Sequence, residues 1–412
     1  MERGFSPLDE ELALLPGILT PGLQETLVRL GTVLPFGRAA RLFAHFRHVT
    51  VSESTARRLT ERAGATYAAE QDAQAAALAR TLPQCVNAPQ CQLLSADGAM
   101  VPLVGGGWGE VKLLAIGDVG AACWEKDEWV VHTERLSYFS RMTDAQTFGE
   151  LARVETQRRG TERAEVVCAV TDGAEWLQGL VDLHRPDAVR ILDFAHAAGY
   201  VTRAAQAVFG SESMDGTAWL TTQMHELKWG EAARVVAAIA ALPTADGTAE
   251  GRAVVAESVG YLTKRVAQMQ YAAFRALGYP IGSGSVESGH KVVTKARLAG
   301  AGMHWTRSHV NALCALCAVE SNARWEEAWP QVVRRVRAEQ RQDVGRRRTV
   351  RRAAQAQPVP ANSTPAPVPV PRSTQSPPAP PARSTPWRPA ADHPWRRRVS
   401  PPSAALPSGA EI

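Results

Sequence analysis

Three successive stretches decide the fold: QCQLLSADGAMVPLV (residues 90–104), GEVKLLAIGDVG (109–120) and EWVVHTERLSYFS (128–140). Each is a run of apolar, β-branched and aromatic residues bounded by glycine-rich or polar turns, the pattern of consecutive strands. MTDAQTFGELARVETQRR (142–159) then takes on helical spacing. AEVVCAVTDGAEWLQGLVDLH (164–184) reads as a buried strand running into a helix, and AVRILDFAHAAGYV (188–201) repeats that unit. The order is three strands, helix, strand, helix, strand, helix.

Three meandering strands followed by alternating units predict an α/β fold with a ribonuclease H-like, mixed five-stranded sheet. Upstream, LQETLVRLGTVL (23–34) and GRAARLFAHFRHV (37–49) place apolar residues three and four apart. VTVSESTARRLTERAG (49–64) follows, where Ser52 or Ser54 can cap a helix presenting Arg57, Arg58 and Arg62. Helix, short turn and capped basic helix is the helix-turn-helix pattern, although ordinary helical hairpins share it. The expected organisation is a helical DNA-binding domain over 1–89 and a first catalytic part over 90–199. An all-helical insertion over 200–278, a last helical region completing the core over 279–330, and a tail over 331–412 follow.

The tail is basic and rich in proline. From Gln331 onward there are 15 Arg, no Lys and 4 acids, so this stretch carries +11 and the preceding residues −6 of the net +5. RRVRAEQRQDVGRRRTVRR (334–352) can prolong a helix to about residue 355, and 16 of the 27 prolines lie between Pro358 and Pro407. Such a segment cannot bury enough apolar surface to fold, so disorder is expected. Its charge serves either solubility or DNA contact through clusters such as Arg396, Arg397 and Arg398. No apolar run is long enough for a membrane span, and the polar, acidic N-terminus argues against a secretory signal. Six cysteines give no disulfide framework and fit a reducing cytoplasm. Cys314-x-x-Cys317 lies in an apolar helical run without a second pair, and reads as two buried thiols.

Carboxylates stand where this fold order brings strand ends and a late helix together. Asp97 follows the first strand in SADGA, though Asp-Gly is equally a hairpin-turn dipeptide. Asp172 ends the fourth strand in TDGA, where a helix rather than a returning strand follows; capping that helix is its structural alternative. Glu287 starts a late helix behind Gly282, Ser283, Gly284 and Ser285, and glycine at position 284 rules out a capping box. Lys291 and Lys295 lie further along the same face, either to meet phosphates or simply solvated. Asp193 and His196 sit across the last strand-to-helix junction, as a cap and its neighbour or as support for a ligand. Clustered carboxylates are what two-metal phosphoryl transfer requires, with Mg2+ or Mn2+ as the matching hard cations.

SADGA, VTDGAEW, DFAHA and above all GYPIGSGSVESGHKVV, with Arg297 and GMHW after it, resemble the DDE transposases of bacterial insertion sequences of the ISKra type. These are relatives of the mutator-like group, and the likeness extends over about residues 4–330, including GFSPLDEELALLPGILTPGLQETL. It implies Asp97, Asp172 and Glu287 as the catalytic triad that holds two metal ions, with Asp193 and His196 as the accompanying motif and Arg297 beside Lys291 and Lys295 as a DNA contact. It also implies double-stranded DNA as partner, homo-oligomers on DNA, and a nucleoid-associated place in the bacterial cytoplasm. Members of the family often carry a cysteine-rich, zinc-ribbon-like segment ahead of the PLDE region, so a shortened copy with weaker end recognition is expected. The alternative is a catalytically inactive or domesticated DNA-binding protein. A glycosidase with paired carboxylates explains neither the basic tail nor the helix-turn-helix pattern.

Overall fold

Strands β1 (Cys91–Pro102) and β2 (Trp108–Val119) form a long antiparallel hairpin around a turn at Gly105 and Gly106. A computed structural model of the chain describes residues 19–78, 89–125, 127–243 and 248–356. Two compact units are distinguished, Met1–Arg351 and Arg352–Ile412; of the second, only residues 352–356 are described. The expected disorder of the proline-rich tail, its arginine cluster and the PLDE region all lie outside the described residues.

The chain is α/β. Its mixed five-stranded sheet has the order β5-β2-β1-β6-β7, with β5 at Thr133–Arg141, β6 at Val166–Thr171 and β7 at Val189–Leu192. β2 runs antiparallel to β1 and β5, while β1, β6 and β7 are parallel. β6, Val-Val-Cys-Ala-Val-Thr, is a nearly continuous apolar run because helices cover both faces of the sheet. On one face α4 (Ala145–Arg158) and α5 (Glu175–His184) pack Phe148, Ala152, Leu177 and Leu180 against Leu94, Leu114 and Val167.

EWVVHTERLSYFS, expected as one strand, is two. β4 (Glu128–Val130) pairs with β3 (Cys123–Glu125) in a separate two-stranded sheet, and β5 begins only at Thr133. Arg135 adopts a left-handed φ of 48°, where the register of β2 with β5 also shifts between Ile116 and Asp118.

The helical regions do not stand as separate domains. α1 (Pro21–Val33), α2 (Phe36–Arg47) and α3 (Glu53–Leu78) put Leu27, Phe36, Phe43 and Ala56 into one core with Val101 and Val111 of the sheet and Val310 and Leu313 of α12 (Arg307–Ser321). The expected insertion begins earlier than residue 200, since α6 runs Phe194–Phe209 across that boundary. With α7 (Met214–Trp229), α8 (Ala232–Ala240), α9 (Ala249–Thr263) and α10 (Tyr271–Ala276), it buries Val201, Leu227, Val235, Ile239, Leu262 and Tyr271 against Leu93, Val170 and Ile191. α11 (Gly284–Gly289) passes into a π-helical turn, His290–Lys295, and α13 spans Trp325–Ala356, as far as the arginine-rich run predicts. Among the described residues no helix is long and apolar enough to cross a membrane.

Candidate acidic site at the sheet edge

The parallel pairing of β1 with β6 ends at Leu94 and Ala169. Asp97 and Asp172 each lie three residues beyond that pair, on neighbouring strands, where β1 continues alongside β2 alone. Asp97 is therefore not a hairpin residue: it sits inside β1 opposite Leu113. Nor does Asp172 cap α5, whose N-cap is Ala174; its Oδ1 accepts from the Ala174 N–H at 2.8 Å in a local turn.

Asp193 ends β7 and draws the remaining pieces in. Its Oδ2 accepts from the His196 N–H at 2.8 Å, capping α6, and its Oδ1 accepts from the Ser283 N–H at 2.7 Å. It thus caps α6 and holds the loop before α11 at once. The second bond anchors the GSGS loop from which α11 starts, and α11 carries Glu287. Gly289 allows α11 to reach the sheet, since a Cβ there would stand 2.6 Å from atoms of both Leu113 and Tyr138. Together Asp97, Asp172, Asp193, His196 and Glu287 line one cleft of about 320 Å3, with Ala96, Ala195, Ser283 and Val286.

Burial pushes the Asp97 carboxyl above the usual carboxylate range. The Asp172 charge adds to this, while the Gly98 N–H, His290 and Lys295 oppose it. Two like charges facing one cleft favour a cation there. The donors are carboxylate oxygens, the hard ligands that Mg2+ and Mn2+ prefer.

Two groups of residues at this site escaped the sequence reading. His290, on the π-helical turn, is buried, with Nε2 at 3.8 Å from Asp97 Oδ2 and without a hydrogen-bond partner. Burial holds its imidazole below the usual histidine range. The other group braces Asp172 from the helical layer. The Tyr261 hydroxyl donates to the Asp172 carbonyl, and Arg265 Nη2 donates to the Gly173 carbonyl at 2.7 Å. Gly173 has φ 81° and a Cβ there would lie 2.5 Å from Arg265 Nε, so glycine is needed on both counts. Tyr261 stacks on Tyr200 at 4.0 Å, the Arg265 guanidinium covers its other side, and His196 packs on both tyrosines. A glycine and two remote aromatic residues give no sequence pattern that reveals such a brace. Arg265→Met is expected to lower the turnover of any chemistry at this cleft by about 10–100-fold, the usual cost of losing an outer partner of a ligating side chain. Single-turnover rates and DNA affinity measured side by side check this: affinity should stay unchanged and Arg265→Lys should recover part of the rate.

Lys291 and Lys295 are exposed on the turn after Glu287, and Lys295 is close enough to act on the Asp97 charge. Arg297, which the resemblance groups with Lys291 and Lys295 as a DNA contact, requires a correction: it is buried, donates from Nε to the Gly31 carbonyl at 3.1 Å and lies between the Phe36 and Trp305 rings. Its guanidinium joins α1 and α2 to the last helices, since the helix from Glu287 has turned that position inward. Arg57, Arg58 and Arg62 are exposed on α3, outside the cleft, and Ser52 Oγ caps that helix by accepting from the Thr55 N–H at 3.1 Å. Cys314 and Cys317 are buried on α12, where burial pushes their thiols up to about 11 and about 12. Compared with models of known families and with curated proteins, the chain matches none of them.

Proposed function

We propose that the chain is a DDE-type DNA transposase of the insertion-sequence kind its motifs resemble, cutting element ends and joining them to target DNA by metal-dependent phosphoryl transfer. One observation carries the reading: Asp97, Asp172, Asp193, His196 and Glu287, chosen from four separated stretches of sequence, line a single cleft. The strand order, antiparallel for the first three and parallel for the rest, supports a ribonuclease H-like core. Asp97, Asp172 and Glu287 would hold the Mg2+ or Mn2+ ions. When bound, such ions activate the attacking oxygen and stabilise the leaving one. Asp193 keeps the loop before Glu287 in place, and the Tyr261–Arg265 brace keeps the Asp172–Gly173 turn in place. Lys291 and Lys295 meet phosphates entering the cleft, and Arg57, Arg58 and Arg62 contact double-stranded DNA away from it. Joining two element ends to a target calls for more than one copy of the chain on DNA.

The test is a plasmid carrying the DNA that flanks the reading frame, incubated with purified protein and Mg2+ or Mn2+. Strand cleavage leaving a 3′-hydroxyl, followed by joining to a second DNA, is the expected result. Sequence-specific binding that ignores the metal, with no nicking at any metal concentration, overturns the reading in favour of a DNA-binding protein without catalysis.

A further inference from the structure

The β3–β4 hairpin carries a different set of ligating groups. Cys123 and Glu125 are two residues apart on β3 and share one face of the strand, while Trp124 between them takes the other. There Trp124 meets Trp129 edge-on at 5.5 Å, as cross-strand partners. His132 lies two residues beyond Val130, the partner of Cys123, and returns to the cysteine side. Its Nε2 is 2.8 Å from Glu125 Oε1, and Cys123 Sγ is 3.4 Å from the same oxygen. Among the described residues these form the one group of three such side chains whose candidate ligand atoms all lie within 4.8 Å of one another.

We propose that Cys123, Glu125 and His132 bind a zinc-class transition metal ion. One sulfur, one nitrogen and one oxygen donor suit a borderline-soft cation, unlike the all-carboxylate cleft. Bonds of about 2.0–2.3 Å place tetrahedral ligand atoms roughly 3.3–3.6 Å apart. The Cys123–Glu125 separation already meets that spacing, and His132 needs to withdraw from Glu125 by about half an ångström. Binding displaces the thiol proton to solvent and replaces the imidazole–carboxylate hydrogen bond, so affinity rises with pH. Three protein ligands leave the fourth position to water or an incoming ligand. The ion would close the base of a hairpin whose other end is already held, since Glu128 accepts from Lys228 of α7 at 2.7 Å and lies 3.4 Å from Arg275 of α10. Spacing rules built on C-x-x-C pairs pass over a mixed C-x-E set with a histidine just past the next strand.

Full-length protein freed of metal and titrated with Co2+ tests the proposal. One equivalent should bind with a near-ultraviolet thiolate-to-cobalt charge-transfer band and the strong visible absorption of a tetrahedral site, and Zn2+ should displace it. Cys123→Ser and His132→Ala should each weaken binding by about 100-fold or more, since even outer partners of metal ligands cost about 10–100-fold. Both positions are at the base of a small, largely exposed hairpin, and unchanged thermal melting of the metal-free variants confirms that they fold. Asp172→Asn and Cys91→Ser should keep the band, which separates this site from the acidic cleft and from the thiols of Cys91 and Cys168, whose sulfurs lie 3.8 Å apart. Absence of a thiolate band in the parent protein overturns the proposal, as does a band that survives Cys123→Ser.

Discussion

Asp172→Asn is expected to abolish strand cleavage and joining, by about a thousandfold or more, while DNA affinity stays within a few-fold of the parent. The substitution keeps the shape and the local turn, because an asparagine Oδ1 can still accept from the Ala174 N–H. What it removes is one negative charge from the cleft that Asp97 and Glu287 also line. Metal ions supply several kcal/mol of charge stabilisation to such reactions, and each 1.36 kcal/mol is tenfold in rate. Lys291 and Lys295, proposed to meet phosphates, are untouched. Asp97→Asn and Glu287→Gln should behave alike, since ligands of shared ions act as a unit. Cleavage by any of the three at the parental rate, with protein of equal purity and melting temperature, removes that residue from the triad.

Arg324→Met is expected to produce the largest loss of stability away from the cleft, about 3–5 kcal/mol, because it strands a buried carboxylate. Glu155 on α4 is almost wholly buried, and Arg324 between α12 and α13 donates to its two oxygens at 2.7 and 2.9 Å. This pair ties the helix that follows β5 to the last helices of the chain. Replacing both partners, Glu155→Leu with Arg324→Met, should recover most of the loss, since two apolar groups leave no charge without a partner. Urea unfolding of the two single variants and the double measures the coupling. A double variant no more stable than Arg324→Met alone contradicts the account.

What the sequence disclosed follows from where chemistry coincides with local signals. Asp172 and Asp193 each close an apolar strand and open a helix, a junction that periodicity marks, and Glu287 follows a glycine-serine loop that stands out by composition. Asp97 was ambiguous because Asp-Gly also makes turns; the turn lies at Gly105 and Gly106 instead. Apolar faces reveal that helices pack, not against what, and here α1–α3 and α6–α10 share cores with the sheet. Arg297 looked like a phosphate contact because charge in a sequence carries no direction, and a buried arginine between two rings reads the same as an exposed one. His290, Tyr261 and Arg265 matter only through their position against Asp97 and Asp172, which no spacing within their own helices records.

The cleft joins residues that leave the ribosome at very different times. Asp97 and Asp172 emerge early, Tyr261 and Arg265 much later, and Glu287 follows Asp172 by 115 residues, a delay of roughly 6–23 s at about 5–20 residues per second. A chain cut short anywhere in that interval carries both aspartates but not the helix that faces them. Premature termination therefore yields an inert fragment rather than a partly competent one, and the complete cleft marks a chain translated nearly to the end of its last buried helices.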